Sequence, residues 1–261
     1  MIPTILFYHQ IADVTAPEQD PYGLTVSPQN FERQMTYLHR AGFRCISLDE
    51  AVDCLLKGTC LPPKHFVLSF DDGYTDLYTT ACPILQRLGF TATIFFVSGL
   101  ADYRSTWDGQ QEVRSAPLMS WHQARALAQQ GCTFGSHTIT HPRLPTLDTF
   151  QATREIRLSR EMIQSYLATP IRFFSYPYCD FDDRIARIVA TSGYTAACGG
   201  DRQKWHMFNL WRAQCTRHDT VFSVALKAHG LYHRIAWMRE ESPVGPPLRR
   251  TVRTAKSLVQ G

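Results

Sequence analysis

Short apolar runs alternate with amphipathic segments along almost the whole chain. Eight runs are rich in the β-branched and aromatic residues that strands favour: TILFYH, FRCIS, HFVLSF, TATIFFV, CTFGS, RFFSY, YTAAC and LWRAQC. Most of them are separated by stretches with helical spacing of apolar residues, and a last helix is expected from about Thr220. Strands that alternate with helices pair in parallel. The pattern therefore predicts an α/β fold with a parallel sheet, either open or closed into a barrel.

Several predicted helices carry signals at their ends. Ser27 precedes Pro28, which suits the first helical position, and Gly42 follows the end of the same helix. Ser120 is the predicted N-cap of the helix in SWHQARALAQQG. Because proline lacks the N–H that a helix interior requires, we expect a kink at Pro83 within DLYTTACPILQRLG.

The length of 261 residues fits one large domain or two small ones, and no internal repeat divides the chain. The eight cysteines contain no Cys-x-x-Cys pair, which argues against a zinc ribbon or a thioredoxin-type site. The first residues show neither a basic leader nor a small-residue cleavage site, and no stretch approaches the ~18 apolar residues of a membrane span. We therefore expect a cytoplasmic protein with reduced thiols.

The net charge of +4 is concentrated at the C-terminal end. From Leu231 onward the chain has six basic and two acidic residues, so the remainder is near neutral. A nucleic-acid binder would show a broad basic surface, and no nucleic-acid partner is expected. The tail, residues 241–261, would form a helix whose apolar face consists of Leu248, Val252, Ala255 and Val259. This tail either packs on the body or contacts a partner or anionic lipid, which would hold the protein at the inner membrane face.

Polar residues directly follow several of the predicted strands. These are His9, the pair Asp71 and Asp72, the pair His137 and His141, and the segment from Tyr176 to Tyr178. In a parallel barrel the carboxyl ends of all strands open on one face, where active sites are built. Residues far apart in the sequence are then expected to converge in one site.

His137 and His141 have a spacing typical of metal ligands. One helical turn would place both imidazoles on the same side, and Pro142 would help to end that turn. Asp-Asp-Gly is common in turns, but adjacent carboxylates such as Asp71 and Asp72 raise each other's pKa unless a cation or donor compensates. Two histidines and one carboxylate leave coordination positions open, as in a catalytic metal site. The pattern predicts a divalent metal held by both histidines and one aspartate, with the other aspartate free as a base.

Three segments, LSFDDGYTD, GSHTITHPRL and FFSYPYC, resemble three ordered motifs of the NodB-type polysaccharide deacetylases, carbohydrate esterase family 4. The resemblance runs from about Lys64 to Cys215, and ILFYHQI is similar to the start of the exopolysaccharide-associated, poly-N-acetylglucosamine deacetylase branch. It implies an irregular (β/α)7-type barrel in a single domain, residues 1–240, followed by the basic tail. It also implies a divalent metal, expected to be zinc with cobalt, nickel or manganese as alternatives, and hydrolysis of the acetamide of an N-acetylated sugar.

Individual roles follow from the same resemblance. It implies that Asp72, His137 and His141 bind the metal and that Asp71 is the general base. The backbone N–H of Tyr178 would help to stabilise the oxyanion.

The chain departs from the family pattern at several positions. Ser175 stands where the third motif usually has an arginine that orients the base, and Cys179 stands where it has a glycine. Arg212 or Arg172 could supply the missing guanidinium, and we favour Arg212. The fourth motif, an aspartate and tryptophan pair, is matched only partly by Asp201 and Trp205.

The general acid has two candidates in the sequence. The fifth motif, Leu-x-His, is matched in letters at Leu231–His233, within a segment that has a helical pattern. We favour His9, which a closed barrel would bring beside the last strand. Tyr74 and Trp107 would either stack on a sugar ring or pack in the body.

Three functions remain open from the sequence. The first is a metal-dependent hydrolase that removes N-acetyl groups from an N-acetylhexosamine-containing glycan or glycolipid precursor. The second is a hydrolase of another non-peptide C–N bond in a small amide. The third is a degenerate, non-catalytic carbohydrate-binding protein. The sequence leaves the oligomeric state open.

Overall fold

Seven parallel strands close into a barrel that helices surround. The computed structural model describes residues 4–14, 20–105, 115–200 and 206–231. Its strands are β1 (Thr4–Tyr8), β2 (Gln10–Ile11), β3 (Thr25–Val26), β4 (Arg44–Ile46), β5 (His65–Phe70), β6 (Thr93–Phe96), β7 (Thr133–Ser136), β8 (Phe173–Ser175), β9 (Ala196–Gly199) and β10 (Leu210–Gln214). Its α-helices are α1 (Pro28–Arg40), α2 (Leu48–Leu56), α3 (Cys82–Arg87), α4 (Trp121–Gln129), α5 (Thr149–Leu167), α6 (Asp183–Thr191) and α7 (Val221–Ala228).

The ring of the barrel consists of β1 and the strands from β5 to β10. Neighbours follow the chain from β5 to β10, and β1 closes the ring by pairing in parallel with both β5 and β10. β4 is an additional strand beside the first half of β5, and the short strands β2 and β3 pair with each other. The predicted irregular (β/α)7 barrel is confirmed, and of the two predicted arrangements the closed one is correct.

Side chains on the barrel strands alternate between two environments. One set packs against the surrounding helices and includes Leu6, Leu68, Phe134 and Phe174. The other set fills the barrel together with residues of α2: Ile5, Val67, Phe95, Phe173, Leu210, Leu48 and Val52. Arg172, immediately before β8, is ion-paired with Asp49 and Asp53 of α2. The helix α2 therefore closes the end at which the strands begin, and the carboxyl ends are left for a site.

The helix signals in the sequence have the predicted effects at most positions. Ser27 caps α1 by accepting a hydrogen bond from the N–H of Asn30, and Ser120 forms a capping box with Gln123 at the start of α4. At Pro83 the helix is irregular, as the proline led us to expect. A π-helical turn, Leu77–Ala81, runs without a break into α3, and this wider turn directly precedes Pro83, whose missing N–H cannot complete a regular α-helical ladder.

The domain boundaries and the tail were not tested, because residues 232–261 lie outside the described part of the chain. The assignments to Trp107, Asp201, Trp205 and His233 also fall on residues outside it. Among the described residues, no helix has both the length and the apolar character required to cross a bilayer.

A matched pair of leucine substitutions tests the packing of the barrel. Leu68 on β5 is 0% exposed, whereas Leu56 at the end of α2 is 60% exposed. Leu68→Ala leaves a cavity between the barrel and its helices, so we expect the free energy of unfolding to fall by about 2–5 kcal/mol. Leu56→Ala is expected to change it by less than about 0.5 kcal/mol. Urea denaturation measures both, and similar losses in the two variants would contradict the placement of Leu68.

Candidate metal centre and active site

The turn after β5 sends two adjacent carboxylates in different directions. Asp71 continues the strand pairing, since its N–H donates to the carbonyl of Tyr8. Asp72 and Gly73 have left-handed backbones with φ of 73° and 80°. A Cβ on Gly73 would lie 2.4 Å from the ring of Phe96, so glycine is required there. This turn places Asp71 inside the barrel and Asp72 beside the end of β7.

Asp72, His137 and His141 converge on one point. The Nε2 atoms of both histidines lie 3.4 Å from Oδ1 of Asp72, and the three potential donor atoms lie within 4.8 Å of one another. All three side chains are buried. Two imidazole nitrogens and a carboxylate oxygen at this separation form a donor set that suits a divalent cation and leaves coordination positions open. The residues present therefore fit the metal that the sequence predicted.

The protonation states also suit a cation site. Nδ1 of His137 lies 2.8 Å from the carbonyl oxygen of Ser175, to which it donates its N–H, and Nε2 faces Asp72. Burial lowers the pKa of His137, but the contact with Asp72 and the charge of Asp71 raise it overall. Burial opposes ionisation of Asp72, yet contacts with His137 and His141 hold its pKa well below the usual range. Burial lowers the pKa of His141 to about 3. At neutral pH Asp72 is a carboxylate and His141 is neutral, as metal ligands must be.

The segment that joins the two histidines is not helical. The sequence predicted one helical turn, and this prediction was wrong: the segment is a bend in which Thr138 and His141 have φ of 69° and 61°. Such left-handed residues cost about 1–3 kcal/mol each unless their surroundings hold them. Both imidazoles still face Asp72, so the ligand geometry survives by a different backbone path.

Tyr74 supports the carboxylate of Asp72. Its side chain is 8% exposed and hydrogen-bonded to Asp72 and Ser105. Burial, followed by the nearby charge of Asp72, raises the pKa of its hydroxyl. Tyr74 packs in the body, which is one of its two predicted roles, and it also lines the cleft, so stacking on a sugar ring stays a prediction. The sequence gave no signal for the hydrogen bond to Asp72, because that contact depends on the turn at Asp72 and Gly73.

Asp71 is held by a bidentate contact with Arg212. Nη1 and Nη2 of Arg212 lie 2.6 Å from Oδ1 and Oδ2 of Asp71, and both side chains are buried. The hydroxyl of Ser175 accepts a hydrogen bond from Arg212 at 2.9 Å and donates to Asp71 at 3.3 Å. Burial would raise the pKa of Asp71, but the charge and hydrogen bonds of Arg212 lower it overall. Asp71 is therefore a fixed, ionised carboxylate.

The alternative arginine is engaged elsewhere. Nη1 and Nη2 of Arg172 lie 2.6 and 2.7 Å from carboxylate oxygens of Asp49 and Asp53, at the opposite end of the barrel. Arg212 therefore takes the position for which both arginines were candidates. Sequence reasoning identified Ser175 as a departure and missed that its hydroxyl joins the Asp71–Arg212 pair.

His9 and Tyr178 border the same cleft, which has a volume of about 550 Å³. His9 is half-buried, and its Nδ1 has no hydrogen-bond partner among the described residues. Burial lowers the pKa of His9, and the charges of Asp72 and Asp71 partly offset this effect. Tyr178 has a left-handed backbone with φ of 60°, and its ring centroid lies 4.7 Å from that of His141. Six of the seven predicted site residues thus line one cleft, and the seventh, Arg212, is buried beside it in contact with Asp71.

Comparison with known proteins agrees with this geometry. Residues 58–197, more than half of the chain, match the family model described as polysaccharide deacetylase. The chain belongs to the polysaccharide deacetylase family. The matched segment contains Asp71, Asp72, His137, His141 and Tyr178, whereas His9 and Arg212 fall outside it.

Three similar proteins illustrate how far the likeness extends. The chain is 27% identical over 190 residues to the Bacillus subtilis protein YxkH, whose name describes it as a polysaccharide deacetylase. The aligned residues cover 73% of this chain and 61% of that protein. It is 28% identical over 135 residues to the poly-β-1,6-N-acetyl-D-glucosamine N-deacetylase of Escherichia coli, covering 50% of this chain and 20% of that enzyme. The Streptococcus pyogenes deacetylase PplD, solved in complex with acetate, superposes with a TM-score of 0.76 at 25% identity, over 87% of this chain and 97% of that one. The chain thus spans under two thirds of either curated relative.

Substitution of Arg212 tests the buried pair. Arg212→Met leaves the carboxylate of Asp71 buried without its cation, so we expect the free energy of unfolding at pH 7 to fall by about 3–5 kcal/mol. Adding Asp71→Asn to Arg212→Met should recover part of this lost free energy, because the asparagine amide carries no charge that would be buried without a partner. Arg157→Met removes an exposed i,i+4 partner on α5 and is expected to cost less than about 0.5 kcal/mol. Urea denaturation of the wild type, both single variants, the double variant and Arg157→Met measures these differences. Additive effects of Arg212→Met and Asp71→Asn would contradict a direct pair.

Proposed function

We propose that this protein is a cation-dependent hydrolase that removes N-acetyl groups from an N-acetylhexosamine-containing glycan or glycolipid precursor. The observation that carries the proposal is the pairing of two differently held carboxylates in one cleft. Asp72 lies beside two imidazoles in a set suited to a cation, whereas Asp71 lies beside it and is held by Arg212. Amide hydrolysis assisted by a metal needs ligands that hold the cation and a separate base that takes the proton of the attacking water.

A divalent cation, when bound, would supply Lewis-acid chemistry, which polarises a carbonyl and lowers the pKa of a water. Asp72, His137 and His141 would hold it. Asp71 accepts the proton of the attacking water, and the contact with Arg212 keeps this carboxylate ionised and oriented. The backbone N–H of Tyr178 donates to the oxygen that becomes negative during the attack. His9, in its protonated form, then gives a proton to the leaving amine, because an amide nitrogen leaves poorly as an anion. The burial that lowers the pKa of His9 also makes its protonated form a stronger proton donor.

The proposed substrate class has support from size and from relatives. A cleft of about 550 Å³ falls in the range that holds small ligands and accommodates an N-acetylated sugar. One relative is named for deacetylation of poly-β-1,6-N-acetyl-D-glucosamine, and the solved deacetylase from Streptococcus pyogenes holds acetate, the second product of such a reaction. Zinc is the proposed metal because two imidazoles and a carboxylate are ligands that it favours. Cobalt, nickel and manganese stay alternatives, and the cytoplasmic location and the membrane contact of the tail stay predictions.

Replacement of the proposed base tests the reaction itself. With zinc present, the protein is expected to release acetate from N-acetylglucosamine oligosaccharides, and a chelator should abolish the release. Asp71→Asn removes the proton acceptor, so we expect kcat to fall about 10²–10⁴-fold. Asp183→Asn, an exposed change in the first turn of α6, should leave kcat unchanged.

Each other outcome points elsewhere. Full activity of Asp71→Asn would refute its role as base. Release of a different product from a small amide would favour the second function considered from the sequence. Sugar binding without release of acetate would favour a non-catalytic protein.

Two substrates separate the acid from the base. His9→Ala should lower kcat on an N-acetylated oligosaccharide about 10²–10⁴-fold, since the leaving amine then lacks a proton donor. On an aryl acetate the same variant should keep most of its rate, because a phenolate leaves without protonation. Asp71→Asn should be slow on both substrates.

His233→Ala is the matched comparison for the acid, as His233 was the alternative in the sequence. It is expected to retain the rate on the oligosaccharide. The reverse pattern would assign the acid to His233. In that pattern His9→Ala keeps its rate on the oligosaccharide, whereas His233→Ala loses that rate and still cleaves the aryl acetate.

A further inference from the structure

The loop from His137 to His141 takes its backbone hydrogen bonds from other elements. The N–H of Ser98 donates to the carbonyl of Thr138 at 3.1 Å, and the N–H of Gly99 donates to the carbonyl of Ile139 at 2.9 Å. The N–H of His141 donates to the hydroxyl of Thr138 at 2.9 Å, which replaces the bond that a helical turn would make. Because the loop is a bend with two left-handed residues, its shape depends on these outside partners.

Glu155 on α5 accepts three hydrogen bonds from the loop with one carboxylate, two from backbone N–H groups and one from a side chain. Its Oε2 accepts the N–H groups of Ile139 and Thr140 at 2.8 and 3.0 Å. Its Oε1 accepts the hydroxyl of Thr140 at 2.8 Å. Hydrogen bonds to a carboxylate are about twice as strong as those between neutral groups, so Glu155 fixes the middle of the loop.

Ser159, one helical turn later, holds the start of the loop. Its hydroxyl is buried and donates to the carbonyl of Thr138 at 3.0 Å. It accepts hydrogen bonds from Ser136, at the end of β7, at 2.8 Å and from Ser98 at 3.0 Å. Ser159 therefore connects the residue before His137 with the residue after it.

The segment around Gly99 also packs closely against this loop. A Cβ on Gly99 would lie 2.4 Å from the side chain of Ile139 and 2.8 Å from its carbonyl oxygen, so the loop has no room to shift in that direction. The loop is thus enclosed between Gly99 on one side and α5 on the other.

We infer that Glu155 and Ser159 are positioning residues that set the separation and orientation of the two imidazoles of the proposed cation site. They touch neither the cation nor the substrate and act through the backbone of residues 138–140. The inference rests on the proposed function, because it concerns the cation that this function requires. It assigns to α5 a part in binding the cation as well as a part in the core.

Zinc affinity of purified variants, measured by competition with a chelator, tests this role. Glu155→Ala removes all three hydrogen bonds, so we expect the affinity to fall about 10–100-fold, the range found when groups that orient metal ligands are removed. Glu155→Gln keeps one acceptor oxygen and should fall between wild type and alanine. Glu161→Gln is the matched control, since Glu161 lies on the same helix in an exposed pair with Arg157. It should bind zinc as the wild type does.

A second measurement separates positioning from general stability. The rise in Tm on adding zinc reports the affinity, whereas the Tm without zinc reports the fold. A positioning role predicts a smaller zinc-induced rise in Glu155→Ala and a changed visible absorption spectrum when cobalt replaces zinc. A merely structural role predicts a lower Tm with the rise and the cobalt spectrum unchanged, and this result would overturn the inference. If Glu155→Ala does not fold, Glu155→Gln and Ser159→Ala provide the same comparison.

The wild type distinguishes failure of the inference from failure of the proposed function. Wild-type protein that binds no zinc and releases no acetate refutes the proposed function and the inference with it. Wild-type protein that binds zinc and releases acetate, with equal zinc affinity in Glu155→Ala, refutes only the positioning role.

Discussion

Two neighbouring carboxylates are buried at the carboxyl end of β5, and the architecture of the site depends on keeping both ionised there. Like charges in adjacent residues inside a protein would normally force one of them to take up a proton. In this barrel each carboxylate has its own compensating partner. Asp71 contacts the guanidinium of Arg212, and Asp72 contacts two imidazoles. The left-handed turn at Asp72 is what allows the two side chains to part. Two chemically identical residues thereby acquire different roles.

Closure of the barrel supplies these partners from distant parts of the sequence. Strand β1 pairs with both β5 and β10, so Arg212 and His9 come within reach of Asp71 although the three residues are widely separated in the chain. The two-residue period of the strands decides which side chains enter the barrel. Helix α2 closes the end of the barrel at which the strands begin, so the site opens at the carboxyl ends of the strands. An open sheet of the same strands would lack the pairing of β1 with β5 and would separate His9 from Asp71.

Prediction from the sequence succeeded where the signal was local or periodic. All eight predicted strands are present, because apolar, β-branched runs such as the one around Thr93–Phe96 are buried on both faces. Asp72, His137 and His141 could be grouped because each follows a strand. The bend from His137 to His141 was missed because its shape comes from α5 and the segment at Ser98, which local spacing does not encode. Arg172 and Arg212 could not be separated with certainty from sequence, since the choice depends on which end of the barrel each one reaches. The hydrogen bonds of Tyr74 and Ser175 could not be predicted from the sequence either, because they too depend on which strand ends lie together in the barrel.

The guanidinium beside Asp71 comes from Arg212 on β10, whereas the resemblance in the sequence led us to expect an arginine at the position of Ser175 on β8. Because Ser175 is small and still hydrogen-bonds both members of the pair, the barrel interior accepts this exchange without loss of contact. A comparison of motif letters alone would count Ser175 as a loss, although a guanidinium from another strand of the barrel contacts Asp71. Searches for remote members of such families would gain by scoring which chemical groups lie together in space rather than which residue types stand at fixed motif positions.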